Sequence, residues 1–243
     1  MKKKITLSAE FVYVLAIVLL AFAVAMVTAA NFGVSMIVAP AYVFSQRFPV
    51  FTFGQAEYVV QSAVFIAMCV VLRKFRFVYF TSYLTCLFYG AVLDAWRAVV
   101  PVFRESASLS MPSRIALFVG GMLLTSFSVA LFFRTYICPQ VYDFAVKTVS
   151  SHFRIKLPTF KRAFDACCLI AAAVLALCFF GGELADFDLA VFAANGFNFH
   201  GIGIATVVMT FLNGGLIGWF GEKFDDLVEV RSRFPKAEAF FTA

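Results

Sequence analysis

The sequence predicts an all-α polytopic membrane protein: six transmembrane helices forming two inverted three-helix repeats, each with a short broken or interfacial half-helix. Three observations carry this. The 243 residues are 63% hydrophobic and only 14% charged, whereas charged residues make up about a quarter of an ordinary soluble domain. The basic residues collect in alternate connections. Polar and glycine positions of the third span recur in the sixth at a constant offset.

The spans run over 11–30, 53–72, 77–99, 115–133, 164–180 and 202–220. Each suits a hydrocarbon core of roughly 30 Å. With the N-terminus inside, only Arg47, Arg97, Arg104 and Arg114 of the 20 basic residues fall outside. That bias puts both termini in the cytoplasm. The net charge of +6 is therefore a topology signal. It is not a nucleic-acid surface, which would need a basic face on a soluble fold. The first apolar run follows MKKK but is too long for the 7–15-residue core of a cleaved leader, so it reads as a span.

In chain order, Ser8 and Glu10 open span one, with Glu10 capping or snorkelling. Ala21, Ala25 and Ala29 share one face, which permits close helix packing. The stretch 29–61 organises the chain. Its segment 34–44 is almost wholly apolar, yet as a helix it reaches only about 18 Å. Asn31, Gly33 and Pro40 punctuate it. It reads as a broken or re-entrant half-helix packed back onto spans two and six, since irregular backbone at membrane depth must be covered. Thr52 is placed to cap span two, where Gly54, Glu57 and Gln61 share a face. Glu57 sits about one turn from the outer interface. Span three carries Thr81, Thr85 and Gly90, then Asp94 and Arg97 at ion-pair spacing.

The internal repeat pairs LLAFAVAM in span one with LLTSFSVAL in span four. It pairs Thr81 with Thr206, Thr85 with Thr210, Leu87 with Leu212, and Gly90 with Gly215. The stretch 138–153 takes the place of 34–44. Val141, Phe144, Ala145 and Val149 line one side there, with Gln140, Asp143 and Lys147 on the other, an interfacial amphipathic pattern. The repeats, 1–104 and 112–232, form a single membrane domain. An odd number of spans in each half turns the halves upside down relative to each other, a plan common among secondary transporters. Lys161 and Asp165 stand one turn apart at the start of span five. Asn213 precedes Gly214–Gly215 deep in span six. The charged tail reads as helical to about Ser232.

The six cysteines show no CxxC pair, and His152 and His200 fall on opposite sides of the membrane. No nucleophile, metal set or cofactor loop stands out, so no catalytic site, metal or cofactor is expected. The 33 Phe residues fit lipid-facing filling, with an aromatic stacking site as the alternative. For substrate, the repeat suggests a midplane cavity shared by Thr81, Thr85, Thr206, Thr210 and Asn213, with Gly90, Gly214 and Gly215 allowing close approach. Glu57 and Gln61 would line its outer mouth, below Asn31 and Gly33. No acid or base sits plainly at mid-depth and the walls would be Phe-rich, which favours a neutral, apolar or aromatic ligand.

FTFGQ at the start of span two, GVSMIVAP after span one and GIGIATVVMTFLNGGLIG in span six together resemble the YczE/YyaS/YitT group of bacterial integral membrane proteins. The resemblance covers most of the spans. It implies a transporter-like fold in the bacterial cytoplasmic membrane. Two functions follow as expectations. One is a transporter or permease for a small molecule. The other is a non-catalytic accessory, scaffold or substrate-capture subunit of the energy-coupling importer type. The partners are the bilayer and the substrate, with a homodimer or a partner membrane subunit left open. The alanine face of span one separates the two. A capture subunit leaves it free for a partner, and a self-contained transporter buries it.

Overall fold

The computed structural model describes residues 4–103, 109–184, 192–193 and 197–242. In order the chain forms β1 (Ile5–Ser8), α1 (Ala9–Ala30), α2 (Ala39–Arg47), α3 (Phe53–Leu72), α4 (Phe77–Val99), α5 (Met111–Phe132), α6 (Val141–His152) and α7 (Leu157–Phe180). The hairpin β2 (Asn198–Phe199) and β3 (Ile202–Gly203) follows, then α8 (Ile204–Leu227), β4 (Val228–Arg231) and α9 (Pro235–Thr242). Among the described residues, six helices are long and apolar enough to cross a membrane: α1, α3, α4, α5, α7 and α8. The chain is an all-α, multi-pass membrane protein. Two spans match the sequence reading to the residue, and the others shift by up to seven residues, chiefly where charged first or last turns extend the helix.

The helix ends follow local chemistry. Ser8 caps α1, its hydroxyl accepting from the Phe11 N–H, and Thr52 with Gln55 forms a capping box on α3. Asn31 and Arg73 end α1 and α3 in the left-handed conformation. Glu10 lies in the first turn of α1, as expected, and does more than favour the helix start. Its carboxylate accepts from the Tyr136 hydroxyl at 2.7 Å and the Arg233 N–H at 3.1 Å, tying two distant segments to the start of α1.

α1 is the centre of the bundle. Ala16, Ala21, Ala25 and Ala30 are fully buried, and α5 packs along its length. A Cβ on Gly121 of α5 would lie 2.7 Å from the Val27 side chain, so the backbones approach closely there. Around this pair the halves correspond. α4 packs on α1 as α8 packs on α5; α2 packs on α3 as α6 packs on α7; and α2 reaches α7 as α6 reaches α3.

The bundle has two defined ends. β1 and β4 pair in parallel, Ile5 opposite Val228, and Arg134 grips Asp225 through two bonds of 2.6 Å. The start of α1 and the ends of α5 and α8 therefore lie together. At the other end, Arg114 at the start of α5 donates to the Ala30 and Asn31 carbonyls at 2.8 and 2.9 Å. α2 turns back into the bundle from this far end, and α6 turns back from the end that carries the termini.

Three expectations need correction. The stretch 34–44 packs on spans two and five, not two and six: Val34, Ala39 and Val43 meet Ala172 and Ala176 of α7. The two-fold relation seats α2 on the second helix of the other half, and the hairpin before α8 is met by the lead-in, through Val34 N–H to the Gly201 carbonyl at 2.8 Å, and by the Tyr42 ring, which lies against Gly201. The tail is not helical to Ser232, because the alternating, β-branched VEVR pairs with β1 instead. Asp94 accepts from the Gly54 N–H at 2.9 Å and the Thr52 hydroxyl at 2.5 Å, so it caps α3 from across the interface.

One correspondence is missing. α3 packs along α4, where a Cβ on Gly54 would lie 2.2 Å from the Gly90 carbonyl and one on Gly90 would lie 2.3 Å from the Tyr58 ring. α7 and α8 have no comparable packing among the described residues, and Gly215, the repeat partner of Gly90, faces open space. Gly90→Leu should therefore lower the stability of the purified protein by about 1–3 kcal/mol or more through overpacking. Gly215→Leu should stay within about 0.5 kcal/mol or gain slightly from helix propensity. Thermal unfolding of the two variants in one detergent checks this, and equal losses would contradict it.

Candidate functional site

Where the two half-helices begin, the bundle encloses a cavity of about 350 Å³. Its apolar walls are Leu20 and Val24 of α1, Met36–Val38 ahead of α2, Val129 of α5, and Met209 and Ile217 of α8. Its aromatic groups are Tyr89 of α4 and Tyr142 of α6. No Phe lines it among the described residues. The expected Phe-rich walls are absent because phenylalanines such as Phe77 and Phe211, 73% and 79% exposed, point out towards lipid.

The polar side is built by α6. Gln140 stands at its N-cap without capping it, and the first N–H groups of the helix have no side-chain acceptor. These carry the positive end of the helix dipole. Gln140 is 7% exposed, and its Oε1 accepts from Gln61 Nε2 at 3.4 Å. Gln61 Nε2 also donates to Glu57 Oε2 at 3.0 Å, and the Tyr142 hydroxyl donates to the same oxygen at 3.1 Å. Glu57 is fully buried behind this wall. Glu57 Oε1, Gln61 Oε1 and Gln140 Nε2 have no partner, and neither has Thr125 Oγ1 on the α5 wall. The start of α2 is closed by contrast: the Val38 and Ala39 N–H groups both donate to the Ser35 carbonyl, and Pro40 has no N–H to offer.

Charge sits at the mouth, on α6 and α7. Lys161 bridges to Asp143 at 3.2 Å, with Asp165 one turn further on and Arg162 beside it. The cavity is thus not free of acids and bases, as the sequence suggested. α6 is more deeply inserted than an interfacial helix, which carries Asp143 inward to meet Lys161. Cys138, in the lead-in to α6, has its thiol pushed up by burial, against the opposing pull of the Thr81 hydroxyl and Lys147.

Residues 7–222 match a family of unknown function, DUF6198. The chain belongs to the DUF6198 family. No curated protein and no solved structure matches it. The DUF6198 match takes in every residue that lines the cavity and both half-helices.

In this DUF6198 chain, Thr210 and Asn213 lie on the cavity wall, and Asn213 accepts from Ser126 at 3.3 Å. Glu57 and Gln61 lie one layer behind it, bridged by Gln140 and Tyr142. They do not line an outer mouth. Thr81 and Thr85 lie off the cavity, which α4 reaches through Tyr89, one turn on from Thr85. The Thr85 and Thr210 hydroxyls, matched in the repeat, both donate to the carbonyl four residues earlier, at 3.1 and 2.7 Å. Thr85 also donates to the Cys138 carbonyl at 3.0 Å. Asn31, Gly33 and Thr206 form the far-end knot. Asn31 accepts from Asn198 at 2.7 Å, and a Cβ on Gly33, at φ +103°, would fall 2.6 Å from the Gly203 nitrogen and 2.8 Å from the Thr206 hydroxyl. Gly214 and Gly215 make no close backbone approach here, since nothing lies within 4 Å of their Cβ positions.

Sequence reasoning missed Gln140, Thr125 and Lys161. Pro139–Gln140 ahead of an amphipathic helix was a usable signal, because it opens a helix without a strong N-cap residue. Gln61→Leu removes one of two donors from a buried carboxylate and should cost about 1–3 kcal/mol. Ser151→Ala should change stability by less than about 0.5 kcal/mol, since that exposed hydroxyl bonds its own helix at the Lys147 carbonyl. Equal melting temperatures for Gln61→Leu and wild type would remove the network from the account.

Proposed function

We propose that this DUF6198 protein is a transporter of a small neutral or apolar molecule across the bacterial cytoplasmic membrane. One observation carries the proposal. Two half-helices, one from each half and one from each end of the bundle, begin at a single internal cavity. Discontinuous helices that meet between inverted repeats are how many secondary transporters build a substrate site. The packing of α1 supports the same reading. Its face of Ala21, Ala25 and Ala29 is buried within the same chain, with no need of a partner subunit. The likeness to the YczE/YyaS/YitT group and the basic bias of the alternate connections agree with a bacterial inner-membrane protein whose termini are cytoplasmic.

In this reading the unequal halves describe the transport step. The interface of α3 with α4 is closed while that of α7 with α8 is open. Rocking one half against the other would close the second and open the first, exposing the cavity to opposite sides in turn.

The test uses a chain in which the six native cysteines are replaced by alanine and a single cysteine is set at Asn213. A membrane-impermeant maleimide should label it in both right-side-out and inside-out vesicles. Labelling from one side only would favour the capture or scaffold subunit. Reporters fused to the two termini should both register the cytoplasm and one at Gly182 the outside; any other pattern reverses the orientation.

A further inference from the structure

We infer that the cavity takes a neutral amphipathic molecule with one hydrogen-bond acceptor, such as a carbonyl or amide oxygen, on a slender apolar body. We further infer that the molecule passes from the bilayer between α7 and α8. The inference names the substrate class and rests on the transporter reading of the same cavity.

The head group follows from what the wall leaves unpaired. Gln140 has one free end. Its Oε1 is taken by Gln61, which leaves the amide Nε2, a donor, as the end without a partner on a residue that lines the cavity. At 7% exposure, little water reaches it. Thr125, 8% exposed, presents an unpartnered hydroxyl from the α5 wall. The uncapped first turn of α6 adds further donors on the Gln140 side. A buried donor without a partner costs about 1–3 kcal/mol, and a ligand acceptor removes that cost. A ligand that is itself only a donor does not; the unpartnered carboxylate oxygen on the lining, Asp165 Oδ1, sits apart from Gln140 at the mouth, one turn from Lys161.

Neutrality follows from the mouth. Asp143 and Asp165 are matched in number by Lys161 and Arg162, and the Lys161 ammonium is already bonded to Asp143. A charged head would add an unbalanced charge to a site walled by Leu20, Val24, Met36 and Met209, and burying such a charge is expensive. The volume, near the lower end of small-molecule sites at roughly 300–1,000 Å³, suits one short chain or ring.

The route follows from the unequal halves. In the first half, Gly54 and Gly90 bring α3 and α4 into contact. In the second, Gly214, Gly215 and Gly218 leave a smooth strip on α8 with nothing within 4 Å of any added Cβ. Gly214 belongs to the cavity wall itself, so the strip leads from the lipid face to the site. α7 lines the cavity only with Lys161, Arg162 and Asp165, near its first turns. The opening therefore sits at the end of the bundle that carries the termini, where an amphiphile's polar head would travel beside the charged rim.

The probes are octanamide, octanoate and octylamine, added to the full-length protein in nanodiscs of phosphatidylcholine. The readout is the unfolding temperature, which rises with any ligand that binds the folded state. Octanamide should raise it saturably, and the two ions should raise it much less. Gln140→Leu should abolish the octanamide shift. Gly214→Phe should abolish it too, because the ring enters the cavity where the strip meets it. Running the series in diester and diether phosphatidylcholine separates the sources. A free amphiphile gives the shift in both. A bilayer lipid whose ester carbonyl occupies the site gives a higher baseline in the diester and an octanamide shift in the diether alone.

Octanamide without effect in the diether disc overturns the inference. So does an equal shift from octanoate or octylamine, or a shift retained by both variants. Two-sided labelling of Asn213→Cys with no octanamide shift would leave transport standing and remove this ligand class. The shift with one-sided labelling would do the reverse.

Discussion

The rest of the structure depends on how non-helical backbone is satisfied inside an apolar slab. Each unpaired peptide group in hydrocarbon costs several kcal/mol, so a chain that breaks a helix at depth has to supply partners locally. At the far end it does so with a knot. Arg114 takes the Ala30 and Asn31 carbonyls and lies over the Phe32 ring, 4.7 Å from its centroid. The Ala205 N–H takes the Phe32 carbonyl at 2.8 Å, and the Val34 N–H takes the Gly201 carbonyl at 2.8 Å. Gly33 allows the turn because any side chain there would strike Gly203 and Thr206. With the knot tied, α2 has only one way to go, back into the bundle. The lead-in to α6 is held more lightly, by Thr85 on the Cys138 carbonyl, and its first turn remains uncapped. The site is polar on the α6 side for that reason.

The central pair makes this arrangement possible. α1 and α5 meet closely at Gly121, whose Cβ position lies 2.7 Å from the Val27 side chain and 3.0 Å from the Ala23 carbonyl. Small residues let two helices come close where lipid offers no hydrophobic drive to push them together. The close pair leaves room on either flank for a half-helix from the opposite repeat. The threonines of α4 and α8 do not share the cavity: Thr81, Thr85 and Thr210 bond carbonyls of their own helices, Thr85 also holds the Cys138 carbonyl, and α4 reaches the cavity through Tyr89 instead.

The sequence carried the architecture because hydropathy, breakers and basic residues act locally. Six spans, the break at Asn31–Gly33, the start of α3 at Thr52 and the second half-helix after Pro139 can all be read without knowing any neighbour. The faces of the helices cannot. Arg114 reads as a residue of the outer connection and is instead a buried clamp, because its role depends on carbonyls some eighty positions away. Glu57 looks solvated one turn from an interface and is fully buried, because α6 inserts deeply enough for Tyr142 to reach it. The partner of α2 was misassigned for the same reason. A repeat in sequence tells which segments correspond, but not which helix of the other half each one meets.

The glycines of α8 show why the two halves are not interchangeable in one structure. Gly in a helix interior costs roughly 1 kcal/mol against Ala, and Gly214, Gly215 and Gly218 receive no close packing in return. In the first half the same expense is offset at Gly54 and Gly90, where two backbones touch. A helix in which such a strip stayed permanently against lipid would gain from alanine at all three positions. Under the transporter reading, the strip has two uses that alanine would hinder: a smooth path for a ligand while α7 and α8 are apart, and a close crossing when they come together as α3 and α4 already do. Gly214, the start of α6 and Gln140 lie around one space, and the open glycine, the uncapped turn and the unpartnered amide are each a local cost that a ligand or a second arrangement would relieve.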